Sequence, residues 1–117
     1  MNLQDQAAQA LKAKASEAEA LLKALANRHR LMILCELHKR ERSVGDLQQS
    51  VGLSQSALSQ HLARLREDHL VLTRRESQTI FYSIASTDVT RLIGTLYELY
   101  CAPACERAPL TPMEKSK

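Results

Sequence analysis

The 117-residue chain has no tryptophan, one phenylalanine and three tyrosines. Since 44% of its residues are hydrophobic, a folded core is expected, built almost entirely from Leu, Ile, Val and Ala. Glycine and proline number 3 each, too few for the frequent tight turns of an all-β architecture. No apolar run approaches the length of a membrane span, and the start lacks the shape of a signal peptide. A soluble, cytoplasmic protein with no membrane partner is expected. Cys35, Cys101 and Cys105 are an odd number. In a reducing compartment they are free thiols, metal ligands or redox sensors, not a permanent disulfide framework. His29, His38, His61 and His69 are scattered, without an i, i+4 pair beside a carboxylate, which argues against a histidine metal site. No nucleophile–base arrangement and no Gly-rich phosphate loop is visible, so neither enzyme activity nor a cofactor is expected.

What is present points to one small, mainly helical domain over residues 1–102, followed by a polar, Pro-containing tail at 103–117 that is expected to be flexible. Net charge is only +3, but it is placed unevenly. Arg28, Arg30, Lys39, Arg40 and Arg42 outnumber Glu36 and Glu41, and Arg64, Arg66, Arg74 and Arg75 outnumber Glu67 and Asp68. A basic middle behind a neutral first 26 residues suits a polyanion-facing surface.

Residues 3 to 25 read as one long Ala/Leu helix, with Leu3, Ala7, Leu11, Ala18, Leu22 and Leu25 at three- and four-residue steps. Asn27 can cap a second helix over about Arg28 to His38, apolar through Leu31, Ile33, Leu34 and Leu37. The next four residues, KRER, read as a polar break. Ser43 and Asp46 then have capping-box spacing at the head of a short helix that Gly52 can end in a left-handed conformation. After a three-residue turn, Ser54 can cap a helix running to Asp68. Its Leu58, Leu62 and Leu65 share a buried stripe at i, i+4 and i+7. Short helix, Gly-containing turn and polar-faced second helix make the helix-turn-helix pattern.

From residue 71 the period changes. Two β-prone runs flank Glu76-Ser77-Gln78, and Ile80, Tyr82 and Ile84 alternate onto one face, as a half-buried strand requires. A two-stranded ribbon directly after a reading helix is a wing. Ser86 can cap a last helix with Asp88 in its first turn and an apolar stripe at Val89, Leu92, Ile93, Leu96, Leu99 and Tyr100, ended by Pro103. The fold class is thus mainly α with a small β-hairpin, in the order α-α-α-α-β-β-α. The first and last helices carry more apolar surface than one small domain needs, which points to a homodimer.

LLKALANRHRLMILC, SVGDLQQSVGLSQSALSQHLARLRE and TRRESQTIFYSI resemble the ArsR/SmtB family of dimeric winged-helix repressors, over about residues 15 to 101. The likeness is strongest to the thiol- and persulfide-sensing branch. That branch carries one Cys in the second helix and one near the end of the last, matched here by Cys35 and Cys101. Two familiar metal sites of the family are missing residue by residue. SVGDL holds no cysteine where metal sensors have a Cys-x-Cys type motif, and residues 86–101 hold no histidine.

The resemblance implies double-stranded operator DNA carrying an inverted repeat as the partner. Ser54, Gln55, Ser56, Ser59, Gln60, His61 and Arg64 would meet bases and phosphates, and Arg74, Arg75 and Gln78 would contact backbone or minor groove from the wing. It also implies a redox switch at Cys35 and Cys101, with Arg28, Arg30, His38 and Lys39 near enough in sequence to favour a thiolate. An alternative is capture of As(III) or another thiophilic ion by Cys35, Cys101 and Cys105. A competing class is a helical dimerisation module that binds protein and no DNA; the helix-turn-helix and basic wing argue against it.

Overall fold

The computed structural model describes residues 2–101. Six helices and three strands follow in the order α1 (Leu3–Ala13), α2 (Ala15–Leu25), α3 (Arg28–Lys39), β1 (Arg42–Ser43), α4 (Val44–Val51), α5 (Gln55–Glu67), β2 (Val71–Glu76), β3 (Thr79–Ile84) and α6 (Thr87–Tyr100). This is a winged helix-turn-helix. The tail at 103–117, the helix-ending role of Pro103 and Cys105 lie outside the described residues.

Capping chemistry sets most of the boundaries. The Asn27 side chain accepts hydrogen bonds from the backbone N–H groups of His29 and Arg30, starting α3. Ser43 and Ser54 do the same for α4 and α5 through Asp46 N and Ala57 N, each at 3.1 Å. Ser86 opens α6 through Val89 N. Gly52 ends α4 at φ 70 and returns its N–H to Gln48 O at 3.0 Å, a left-handed stop that a side chain would strain. His69 takes the same region at φ 60 after α5, with its N–H bonded to Arg66 O and that of Leu70 to Leu65 O.

Two details differ from the sequence reading. The expected single helix over residues 3–25 is two helices meeting at Lys14, whose backbone leaves helical geometry at φ −106, ψ 11. The expected polar break at 39–42 ends in a strand. β1 pairs antiparallel with β3, giving a three-stranded sheet in the order β1-β3-β2. The hairpin register runs from Val71 opposite Ile84 to Glu76 opposite Thr79, leaving Ser77 and Gln78 as its tip.

The core is aliphatic, as the composition requires. Ile33 and Leu34 of α3, Leu47 of α4, Leu58 and Leu65 of α5 and Ile93 of α6 are fully buried, with Tyr82 the one buried aromatic. α6 packs along α3, with Gly94 facing the His38 ring, where an added Cβ would make ordinary contact at 3.4 Å from Cε1. That approach carries the end of α6 toward the middle of α3.

Candidate nucleic-acid interface and thiol groove

Because the three α5 leucines point inward, Ser54, Gln55, Ser56, Ser59, Gln60 and Arg64 are left exposed. Together they present hydroxyls, amides and a guanidinium, the donors and acceptors that can read base edges or hold phosphates. Ser54 spends an acceptor site on its cap. Arg64 is held to Asp68 at 2.8 Å on the solvent side. His61 differs from the others: it is half-buried, with its ring centroid 5.6 Å from that of His29. Burial, then the nearby charges of Arg30 and His29, lower the His61 pKa and favour the neutral ring. Below the free-histidine value of about 6.5 the unfolded chain therefore takes up this proton more readily than the folded one, and stability falls as pH drops. His61→Gln is expected to flatten that fall modestly, the ring being only half-buried; urea midpoints at pH 5.5 and 7.5 check it.

On the wing, Arg74 and Arg75 have different fates. Arg74 holds both carboxylate oxygens of Glu41 at 2.9 Å, reaches Glu76 at 3.3 Å and lies 4.6 Å over the Phe81 ring. Glu41 is correspondingly shifted below its usual carboxylate range, mainly by that hydrogen bond. Arg75 is exposed and makes no ion pair among the described residues, and Gln78 sits at the exposed tip. Arg75→Ala should therefore lower the salt slope of DNA binding by about one counterion. Arg74→Ala should change the slope less, because its charge is already held by carboxylates. Titrations between low and moderate salt read both; equal slopes for Arg75→Ala and wild type would remove Arg75 from the interface.

The basic count over residues 27–42 also needs correction. Arg30 is tied to the end of α2, donating from Nε to Ala24 O at 2.7 Å and from Nη2 to Lys23 O at 3.3 Å. Arg42 is 9% exposed, paired to Glu36 at 2.8 Å and to Ser50 at 3.2 Å. Arg42 is therefore withdrawn from the surface, whereas Arg30 stays partly exposed near Arg64. Sequence inspection missed this strut, in which α3, β1 and α4 are joined through one buried guanidinium. The available signal was the tight alternation of Glu36, Glu41, Arg40 and Arg42, which fits internal pairing as well as a charged surface.

The two described thiols are brought to one place. Cys35 is half-buried on α3 and Cys101 is exposed at the end of α6, and both line one groove of about 660 Å³. Burial pushes the Cys35 thiol up, Cys101 and Glu36 add to this, and Lys39 opposes it. Of the four cations expected to favour a thiolate at Cys35, only Lys39 acts in that direction, and it is outweighed. Among the described residues, no three His, Cys, Asp or Glu side chains form a metal-holding group, and no helix is long and apolar enough to cross a membrane.

A capped, polar-faced helix behind a glycine turn, flanked by a basic hairpin, defines a winged helix-turn-helix transcriptional regulator. The bacterial regulatory protein arsR family matches residues 21–72. The transcriptional activator HlyU of Vibrio cholerae is 52% identical over 101 residues, covering 86% of this chain and 89% of that protein. The biofilm growth-associated repressor of Agrobacterium fabrum is 46% identical, covering 80% of each chain. Among solved structures, reduced HlyU from Vibrio cholerae superposes with a TM-score of 0.77 at 53% identity, covering 80% of this chain and 99% of that one. The transcriptional repressor BigR from Xylella fastidiosa gives 0.75 at 39% identity, covering 88% and 100%. The chain belongs to the ArsR family of bacterial transcriptional regulators. These relatives are regulators, not enzymes.

Proposed function

We propose that the chain is a homodimeric, cytoplasmic repressor that binds an inverted-repeat operator and releases it when Cys35 and Cys101 become linked. The outward polar face of α5 is the observation that carries the DNA reading. Support for the dimer comes from apolar surface left uncovered: Leu3 and Leu11 on α1 are 81% and 63% exposed, and Leu22, Leu92 and Tyr97 are exposed too. α1 buries none of its residues, so its leucines are explained by a second copy. Two copies would set two α5 helices about 34 Å apart, one helical turn of duplex.

The thiol switch is supported by the shared groove. A persulfide R–S–S–H is the oxidant. The exposed Cys101, as thiolate, attacks its outer sulfur, giving Cys101–S–S–H and releasing the thiol R–SH after protonation. The Cys35 thiolate then attacks Cys101 Sγ, forming the Cys35–Cys101 disulfide and expelling HS⁻. Cys35, with its raised pKa, suits the second step rather than the first. The link ties α3 to the end of α6 beside the proposed dimer surface and so alters the spacing of the two reading helices.

The DNA half is tested with fully reduced protein and an inverted-repeat duplex from its own promoter region. Tight binding that is lost when half a helical turn is inserted between the repeats supports the reading. Binding indifferent to that insertion opposes it. Release by arsenite, but not by persulfide, would favour instead the three-thiol reading that includes Cys105.

A further inference from the structure

The groove between the thiols is built for more than two sulfur atoms, and its remaining walls have a distinct character. Ala26, Leu31 and Met32 line it from the α2–α3 side and Val51 from the end of α4, with Cys35 and Cys101 between them. Its volume of about 660 Å³ lies within the range of small-molecule sites, roughly 300–1,000 Å³. The polar groups on the wall are few: Asn27, Ser50, Arg28 and Glu36. Glu36 is a carboxylate whose two oxygens are engaged by Arg42 at 2.8 Å and Lys39 at 3.3 Å, leaving Arg28 as the cation on the lining.

We propose that this groove is a binding site for the apolar body of an uncharged organic persulfide, holding its outer sulfur against Cys101. The inference rests on the thiol-switch reading and deepens it by naming the donor's chemistry. A sulfur donor carrying several carboxylates and an ammonium would find one cation without an ion pair among the described residues, Arg28, for its carboxylates. With Glu36 already engaged, it would find no carboxylate on the lining for its ammonium, and would set its remaining charges against Leu31, Met32 and Val51. An aliphatic or aryl body gains by burying apolar surface there. The sulfur step is the one above: the S–S bond of the donor breaks, its organic half leaves as a thiol, and Cys101 keeps the transferred sulfur. Because Val51 closes α4, an occupant of the groove also touches the first helix of the helix-turn-helix directly.

The test follows intact mass against time for the reduced full-length chain with three donors: cumyl hydropersulfide, glutathione persulfide and inorganic hydrogen disulfide. Each rate is divided by that of N-acetylcysteine with the same donor, which removes intrinsic reactivity. The normalised rate with the cumyl donor is expected to exceed that with glutathione persulfide by roughly tenfold, the effect of two buried methylenes. Met32→Trp and Ala26→Trp, which fill the groove from exposed positions, should each remove this advantage while leaving the inorganic donor's rate unchanged. Equal normalised rates in wild type, or an advantage that survives both variants, would overturn the groove assignment even if the disulfide forms. Absence of any Cys35–Cys101 link with all three donors would instead overturn the switch on which it rests.

Discussion

Leu58→Ala is expected to lower the unfolding free energy by about 2–5 kcal/mol, the range for removing most of a fully buried leucine. Leu58 has no solvent exposure and sits one turn into α5, between the reading face and the core. A domain of this size is stable by only about 5–15 kcal/mol in total, so the variant would lose a large fraction of its margin. The loss should appear as a lower urea midpoint with an unchanged slope. Ser59→Ala is the matched control. Ser59 is exposed on the same helix, and its removal should change stability by less than about 0.5 kcal/mol while weakening DNA binding. A helix that behaved the other way round, tolerant at Leu58 and sensitive in stability at Ser59, would have its faces inverted.

The second large effect is on the switch. Cys101→Ser and Cys35→Ser should each bind operator as the reduced wild type does, and neither should release it on persulfide treatment. Their products should differ. Cys35→Ser should accumulate one added sulfur on Cys101, because the thiol that resolves it is gone. Cys101→Ser should react slowly, since Cys35 is half-buried and its thiol is pushed up by that burial and by Glu36, which both remain in the variant. In wild type the closing of the disulfide should quicken as pH rises and Cys35 becomes thiolate. Release of DNA by either serine variant, or rapid modification of Cys35 alone, would remove the proposed order of events.

Much of the reading domain was legible in sequence because it is specified locally. The leucines at 58, 62 and 65 fix the buried face of α5. Ser43, Ser54 and Ser86 cap three helices through their own hydroxyls, and the alternation of Ile80, Tyr82 and Ile84 marks one face of β3. The break at Lys14 was not legible, because the Ala/Leu spacing runs through it unchanged and Lys is an ordinary helix residue. Nor was β1, whose two residues join the sheet through backbone pairing that leaves no side-chain pattern. Charge was the least readable property. Arg30, Arg42, Arg74 and Arg75 look alike in sequence, yet one caps backbone carbonyls, one is a buried strut, one is held by Glu41 and one makes no ion pair among the described residues. Sorting them depends on long-range partners, as does the placing of Cys35 and Cys101, 66 positions apart, on one groove, which follows from the packing of α6 on α3.

The proposed thiol switch stands on whether joining two sulfurs changes the grip on duplex. Fluorescence anisotropy on a labelled operator duplex, with one sample reduced and one verified by intact mass to carry the Cys35–Cys101 link, measures this directly. The linked protein should bind about 5- to 150-fold more weakly, the range of ordinary allosteric coupling. Identical affinities for the two verified species would contradict it.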